Sequence, residues 1–366
     1  MLRSVKVLLC LAALCAAPTL ALDEVVTKRV FRQANFTFAS GETIPELRLG
    51  VETYGRINDT ADNVVLICHF FAGDSHAAGK YPNGRVGWWD ELIGPGKPID
   101  TDRYFVVCTD LLSGMLVKVD TVVTTGPRSL DPRTGEPYGP RFPQVSWRDQ
   151  VAAQRAVLDA FGVRHLKLVT GPSMGGMLAL QWAVTHPGYM DAVLAVSAPI
   201  EFSDQERLGF QSSGAAIRSD PLWLFGDYLR YGVEPDYGMA WALYGLSDLS
   251  NGEAFFLPFR WGTYLREARR YDANHYLQTI NLHTAYALGS EYGSMQLGMR
   301  RITAPVVLLG SEDDDFISPD DLEDAASSLR AAGVRAQRVL FAGQHGHLSC
   351  LEDLDELAAP VRAVLR

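Results

Sequence analysis

The sequence has few cysteines and lacks an apolar run long enough to cross a membrane. It holds five cysteines in 366 residues, and only Cys68, Cys108 and Cys350 follow residue 21. An odd number of thiols, two of them in apolar strand-like segments, argues against a disulfide framework and predicts buried free thiols. One short apolar run near the amino terminus stands out, and its length excludes a polytopic membrane protein. We therefore expect no stable membrane anchor.

Basic residues are also in deficit. The chain has 33 lysines and arginines against 43 aspartates and glutamates, a formal net charge of −10. Nucleic-acid binding needs a basic surface, so we expect no nucleic-acid partner. Metal-ligand spacings of Cys and His, a P-loop and a G-x-G-x-x-G fingerprint are all missing, so we expect neither a metal nor a cofactor. The hydrophobic content of 47% nevertheless supplies a large core.

The amino terminus has the layout of an export signal. Arg3 and Lys6 precede an apolar run over residues 7–14, and Pro18 precedes the small-residue exit Thr19-Leu20-Ala21. This order predicts a secretory signal peptide over residues 1–21, cleaved after Ala21, and a secreted or periplasmic mature protein. The alternatives are a buried amino-terminal helix and an uncleaved anchor.

Continuous apolar segments alternate with helical patterns over most of the chain. A helix is predicted from Trp147 to Phe161, and the last helix from Ser349 to Leu365. Continuous apolar strands that alternate with helices indicate a mostly parallel sheet with helices on both faces, an α/β core formed by residues 22–200 and 300–366. The buried strands are predicted at Val64–Cys68, Tyr104–Cys108, Leu166–Val169, Ala192–Val196, Pro305–Leu309 and Ala336–Phe341.

Residues 201–299 interrupt this alternation. The stretch contains no comparable strand pattern and is rich in aromatic residues, among them Trp223, Trp241 and Trp261. It predicts a helical insertion whose apolar face covers a cleft, which we call the lid. Aromatic residues that only pack helices together are the alternative interpretation.

A nucleophile motif follows the strand that ends at Val169. Gly171-Pro172-Ser173-Met174-Gly175 has the G-x-S-x-G pattern between a strand and a helix, the setting of a nucleophile elbow. The tight turn holds the serine in a strained backbone conformation, and side chains at positions 171 and 175 would collide with neighbouring backbone. A Gly-rich turn with a solvated serine is the alternative.

A serine nucleophile needs a general base and an acid that orients it, in the chain order Ser, Asp or Glu, His. Both types follow later strands: the acidic run Glu312-Asp313-Asp314-Asp315, and the pair His345 and His347. The residues alone leave open which acid and which histidine act. An oxyanion hole is expected from the backbone N–H groups of Met174 and Phe71, the latter in the loop after Cys68.

The sequence resembles homoserine O-acetyltransferases from about residue 45 to its end. This family belongs to the α/β hydrolases, so the resemblance implies that fold. The segments that carry the resemblance include Val65–His69, Gly73–His76, Gly87–Asp90, Leu92–Lys97, Asp100–Val106, Gly126–Pro127, Pro137–Pro140, Arg148–Asp149, Gly171–Met177 and Ser219–Pro221.

Position by position, the resemblance implies that Ser173 is the acylated nucleophile, Asp314 the acid and His347 the base. Two positions depart from the family pattern. Leu348 stands where an aspartate holds the homoserine head group, and Gly214 where an arginine is expected to bind the substrate carboxylate. Their loss removes charge-assisted hydrogen bonds to an amino acid, each worth roughly 1.5–3 kcal/mol. Arg207 or Arg218 could instead have taken over the missing role.

These observations predict a serine acyl-transfer enzyme that uses a small-molecule acyl donor and acceptor through an acyl-enzyme. The resemblance implies a transferase, and a homodimer that pairs through the lid. The two departures and the export signal favour the alternative, an esterase of small or apolar acyl esters. A non-catalytic binding protein on a hydrolase scaffold is a third reading, less compatible with the three filled triad positions.

Overall fold

A computed structural model describes residues 25–251 and 261–366, so the predicted signal peptide over residues 1–21 lies outside the described residues. Eight strands form one sheet in the order β1-β2-β6-β3-β7-β8-β9-β10, and β4 and β5 form a separate short pair. The strands are β1 Arg29–Thr37, β2 Thr43–Tyr54, β3 Val64–Ile67, β4 Ile93–Gly94, β5 Ile99–Asp100, β6 Phe105–Thr109, β7 Leu166–Pro172, β8 Val193–Val196, β9 Val306–Ser311 and β10 Ala336–Phe341.

The sheet is mostly parallel. β1 pairs with β2 and β2 with β6 in antiparallel fashion, and every pairing from β6 through β10 is parallel. The central strands are buried on both faces, which is why they read as continuous apolar runs. In β3, Val64 and Leu66 belong to the core on one face, while Val65 and Ile67 belong to the core on the other.

Helices cover both faces of the sheet, as the sequence predicts. The core on one face includes apolar residues of α1, α2 and α8, and the core on the other includes those of α10. Helix α1 begins at a capping box in which Ser146 and Asp149 satisfy each other's backbone N–H groups. These helices are α1 Trp147–Ala160, α2 Met174–Thr185, α8 Pro319–Ala331, α9 Ser349–Glu352 and α10 Leu354–Val364.

The lid is helical and leaves the sheet between β8 and β9. Its described residues add no strand to the main sheet, and its aromatic and aliphatic side chains join the core on the α1 face. The lid helices are α3 Asp204–Arg218, α4 Asp236–Asn251, α5 Trp261–Ala268, α6 Ala273–Thr284 and α7 Met295–Met299.

The prediction of a single helix from Ser349 to Leu365 is wrong. This segment forms two helices, α9 and α10, because the backbone of Asp353 leaves the helical region at φ −99° and ψ 50°. The Asp353 carboxylate accepts hydrogen bonds from the backbone N–H of Gln344 and from the ring of His345. This aspartate therefore ties the loop after β10 to the helix pair.

Candidate active site

Ser173 lies at the sharp turn between β7 and α2. Its backbone has φ 54° and ψ −121°, a conformation that residues with a side chain rarely adopt. The backbone N–H of Ser173 donates to Val196 O of the neighbouring strand at 2.8 Å, and its carbonyl accepts from Gly176 N at 2.8 Å. The turn is therefore held from both sides, and the half-buried hydroxyl faces a cavity.

The two motif glycines let this turn pack directly on the end of β3. A Cβ atom on Gly171 or on Gly175 would lie 2.0 Å from the backbone oxygen of Cys68. That oxygen belongs to the main chain and cannot move aside as a flexible side chain could. The elbow therefore depends on glycine at both positions because of this close approach.

His347 connects Ser173 to an acid. Its Nε2 lies 2.9 Å from Ser173 Oγ, and its Nδ1 lies 2.8 Å from Asp314 Oδ2. The carboxylate only accepts, so Nδ1 carries the proton and Nε2 is free to accept the serine proton. His347 sits on a single turn after β10 and is 8% exposed, while Asp314 is 1% exposed. The ring of Phe316 meets the imidazole edge-on.

Of the four consecutive acids, the structure brings only Asp314 to the imidazole. Asp314 Oδ1 accepts backbone hydrogen bonds from Phe316 at 3.0 Å and Ile317 at 2.9 Å, which leaves Oδ2 for His347. Glu312 and Asp315 are exposed. His345 is also exposed, and it pairs with Asp353 away from Ser173.

Asp313 has a structural role that its sequence position did not reveal. Its Oδ2 accepts the backbone N–H of Gly346 at 2.9 Å, directly before His347. Its Oδ1 accepts from the hydroxyls of Ser311 and Ser349. Asp313 therefore ties the loop after β9 to the loop after β10, the two loops that carry the acid and the base.

The two predicted oxyanion donors, Phe71 and Met174, belong to the loop after β3 and to the helix that follows Ser173. Met174 is the first residue of α2, so its backbone N–H is one of those that the helix itself leaves free. Phe71 follows β3 and lines the same cavity as Ser173. Nearby, His69 Nδ1 lies 2.7 Å from the carbonyl of Phe70, and burial lowers the pKa of this histidine. Phe71 and Met174 stay predictions as oxyanion donors.

A cavity of about 520 Å³ opens at Ser173. Leu348 lines this cavity, whereas Gly214 does not. Gly214 faces α6, since a Cβ atom at position 214 would lie 3.4 Å from both Ile280 and Leu277. Among the described residues that line the cavity there is no lysine or arginine, and Glu267 is the single acid. The lining is mainly apolar, with Phe70, Phe71, Met177, Phe202, Phe210, Leu243, Leu246, Tyr271, Phe316, Ile317, Leu348 and Leu351.

The cavity also contains a histidine that the sequence analysis missed. His283, near the end of α6, is 3% exposed, lines the cavity, and has its Nδ1 2.8 Å from the carbonyl of Thr279. No motif or spacing around His283 distinguishes it from a core residue. It reaches the cavity because α6 packs against α3 within the lid.

The three cysteines of the described chain are free and buried, as the sequence predicts. Burial raises the pKa of Cys68 to about 12, so this thiol is protonated and unreactive at neutral pH. Over residues 25–251 and 261–366, no cluster of three or more His, Cys, Asp and Glu side chains has the form of a metal site. The helices in those ranges include none long and apolar enough to span a membrane.

Comparison with known proteins shows the family of this chain. A family model described as the alpha/beta hydrolase fold matches residues 123–354. A homoserine O-acetyltransferase from Symbiobacterium thermophilum is 35% identical over 89% of this chain and 91% of its own length. One from Haemophilus influenzae is 33% identical, covering 91% and 96%.

Two solved structures are also closely similar. Esterase E22 superposes with a TM-score of 0.86 at 32% identity, covering 93% of this chain and 100% of its own. A homoserine O-acetyltransferase from Bacillus anthracis superposes with a TM-score of 0.87 at 29% identity, and the match covers 94% of this chain and 98% of that structure's chain. The predicted α/β-hydrolase fold is confirmed.

Proposed function

We propose that this chain, which belongs to the homoserine O-acetyltransferase family of α/β hydrolases, transfers acyl groups through a covalent intermediate on Ser173. Membership of that family makes the protein an acyltransferase or an ester hydrolase. The observation that carries the proposal is the unbroken chain of contacts from Ser173 Oγ through His347 to Asp314. Nucleophile, base and orienting acid are thereby in hydrogen-bond reach of one another, as acyl transfer by a serine requires.

The first half of the reaction acylates the serine. Ser173 Oγ attacks the acyl carbonyl carbon as its proton passes to His347 Nε2, while Asp314 stabilises the imidazolium that forms. The N–H groups of Phe71 and Met174 stabilise the carbonyl oxygen as it becomes negative. The tetrahedral intermediate then expels the alcohol or thiol of the donor, which takes the proton from His347.

The second half releases the acyl group to an acceptor hydroxyl. His347 removes the acceptor proton as the acceptor oxygen attacks the acyl carbon. Ser173 Oγ then leaves and regains that proton. The acceptor can be water or an alcohol, and the surroundings of Ser173 decide between them.

Ester hydrolysis is the second candidate function, and the cavity lining favours it. A homoserine acceptor brings a carboxylate and an ammonium group into the cavity, and Leu348 offers neither of them a partner. Arg207 does not line the cavity, because its guanidinium donates to the backbone carbonyls of Phe202, Thr284 and Tyr286. Arg218 is likewise outside the lining. Burying the acceptor's charges without partners would cost several kcal/mol.

The test compares acceptors directly. The purified protein is given acetyl-CoA with millimolar homoserine, and separately p-nitrophenyl esters of increasing chain length. We expect a burst of p-nitrophenolate that signals the acyl-enzyme, and hydrolysis faster than formation of O-acetylhomoserine measured by mass spectrometry. Formation of O-acetylhomoserine faster than hydrolysis would establish homoserine as the acceptor. Absence of a burst and of acyl-Ser173 would contradict the acyl-enzyme itself, with Ser173→Ala as the blank.

Export and self-association are further proposals. The basic, apolar and small-residue order of residues 1–21 supports secretion, and a purified extracellular or periplasmic form that begins at Leu22 would establish it. The exposed aromatic side chains Phe225, Tyr237 and Trp241 of the lid support a homodimer through that surface. Sedimentation at micromolar concentration would give twice the mass of one chain, whereas a monomer at all concentrations would contradict it.

A further inference from the structure

His283 presents an unused hydrogen-bond acceptor to the cavity beside Ser173. A backbone carbonyl only accepts, so Nδ1, at 2.8 Å from Thr279 O, must carry the ring proton. Nε2 of the neutral ring is then a lone-pair acceptor. No described residue donates a hydrogen bond to it, and the residue lines the cavity at 3% exposure.

The ring is surrounded by aromatic side chains that keep it neutral. Phe71 and Phe210 lie 5.0 and 5.1 Å from it between ring centroids, and Phe202 and Trp147 each lie 5.8 Å away. Burial lowers the pKa of His283 to about 4. At neutral pH the ring is therefore uncharged and accepts a hydrogen bond at Nε2.

The imidazole adds a polar atom to an otherwise apolar part of the cavity wall. A phenylalanine would pack among the same rings, whereas Nε2 of His283 opens to the cavity and can bind a donor that enters it. An imidazole kept in such surroundings indicates a partner that arrives with the ligand. The surroundings are apolar, and Glu267, the single acid among the described lining residues, is half-exposed and paired with Arg270. A neutral donor therefore fits better than an ammonium group.

We propose that His283 Nε2 accepts a hydrogen bond from a hydroxyl group of the substrate, so that the enzyme prefers hydroxylated substrates over their unsubstituted analogues. The inference rests on the proposed acyl transfer at Ser173 and specifies its substrate class. The hydroxyl can belong to the acyl chain or to an alcohol acceptor. The shared chemistry is an uncharged O–H donor within the cavity.

Two arms of one experiment distinguish these sources. The first compares kcat/KM for p-nitrophenyl 3-hydroxybutyrate with that for p-nitrophenyl butyrate. The second uses p-nitrophenyl acetate as donor and compares acyl transfer to 1,4-butanediol with transfer to 1-butanol, per hydroxyl group. In one arm we expect the wild-type protein to favour the hydroxylated compound about five- to tenfold, the contribution of one hydrogen bond.

The variants His283→Phe and His283→Gln test the residue. His283→Phe keeps the aromatic packing and removes the acceptor, so the ratio of the two kcat/KM values should fall to about one. His283→Gln keeps an acceptor and should retain part of the preference; it also serves if the phenylalanine variant does not fold. Tyr286→Phe is the matched control, because it removes a hydroxyl from a buried ring that also packs on Phe202 and Trp147 but does not line the cavity.

The outcomes separate the two proposals. A burst with p-nitrophenyl butyrate establishes acyl transfer whatever His283 does. Equal rates for hydroxylated and unsubstituted compounds in both arms would overturn the role of His283, and so would a preference that survives in folded His283→Phe. A preference lost equally in Tyr286→Phe would also overturn it, since the effect would then come from packing.

Discussion

At the scale of one residue, Ser173, the proposed nucleophile, has a strained backbone conformation. Its positive φ exposes the hydroxyl at the top of the turn, and a conformation of this kind costs of order 1–3 kcal/mol in a residue that has a Cβ. The surrounding backbone hydrogen bonds keep the serine there. The same strain would be absent if the residue were glycine.

We therefore expect Ser173→Gly and Ser173→Ala to be equally inactive but unequally stable. Glycine adopts this conformation freely, and after allowance for its greater freedom in the unfolded chain the glycine variant should be about 1 kcal/mol more stable than the alanine variant. Urea unfolding followed by tryptophan fluorescence measures the difference. A glycine variant no more stable than the alanine variant would show that Ser173 is unstrained.

The neighbouring acids and histidines in the loops after β9 and β10 lead to a second prediction at this scale. Asp314→Asn and His347→Ala should each reduce kcat by several orders of magnitude, because triad members act as one unit. Asp315→Asn and His345→Ala should be mild, since both residues are exposed and His345 pairs with Asp353 instead of Ser173. The measurement is the steady-state hydrolysis of p-nitrophenyl butyrate.

Asp313→Asn serves as the control for Asp314→Asn, since it changes the adjacent acid in the same way. It should weaken the tether to Gly346 and lower stability by about 1–2 kcal/mol while catalysis continues. If Asp313→Asn reduced kcat more than Asp314→Asn, the acid that orients His347 would be Asp313 instead of Asp314.

At the scale of elements, the strand-turn-helix unit of β7 and α2 explains why the motif needs its glycines. The turn approaches the carbonyl end of β3 so closely that backbone meets backbone. That approach brings Ser173 beside the loop that carries Phe71. The serine and its predicted oxyanion donor thus owe their proximity to the pairing of β3 with β7.

Gly171→Ala and Gly175→Ala should therefore prevent folding or reduce the free energy of unfolding by more than about 3 kcal/mol, because the clash is with an immobile carbonyl. Gly162→Ala is the matched control: it has φ +73° but no atom within 4 Å of the new Cβ, so it should cost only about 1 kcal/mol. Soluble yield and urea unfolding measure both effects. Equal costs at the three positions would contradict the close approach.

At the scale of the whole molecule, the sheet supplies the three proposed catalytic residues and the lid supplies much of the cavity. Ser173, Asp314 and His347 all follow strands of the sheet, whereas Phe210, Leu243 and His283 belong to lid helices. A single apolar core joins the two parts. We therefore expect substitutions in the lid to change substrate preference and substitutions at the strand ends to change the rate of acyl transfer.

Buried neutral histidines give this molecule a pH-dependent stability. Burial lowers the pKa of His69, His186, His275 and His283, the last from 6.5 to about 4. Below pH 6.5 these histidines become protonated in the unfolded chain but stay neutral in the folded chain. The free energy of unfolding that they contribute above pH 6.5 is therefore lost as the pH falls towards 4. For His283 alone this loss amounts to about 3 kcal/mol.

Calorimetry at intervals between pH 7.5 and 4.5 should show Tm falling below pH 6.5, and His283→Phe should show a shallower fall. The control is His345→Ala, which removes an exposed histidine and should follow the wild-type curve. A slope identical in wild type and His283→Phe would mean that His283 titrates normally.

The sequence by itself determined the features that local patterns encode. The alternation of apolar strands with helices predicted the parallel sheet, and the G-x-S-x-G turn identified Ser173, because turn sterics restrict the residues that fit. Chain order indicated where the acid and the base should follow. Residue patterns could not choose among four consecutive acids or between His345 and His347, since neighbours in a loop point in different directions, and there the family resemblance supplied Asp314 and His347.

Only the tertiary structure decided which groups meet. Asp314 reaches His347 because the parallel pairing of β9 and β10 places two loops side by side that are 33 residues apart in sequence. The packing of α3 on α6 orients both helices. Because of this packing, Gly214 of α3 lies against α6, and His283 of α6 lines the cavity. Local sequence specifies what a helix or a strand end carries, whereas contacts between distant elements determine where each side chain points.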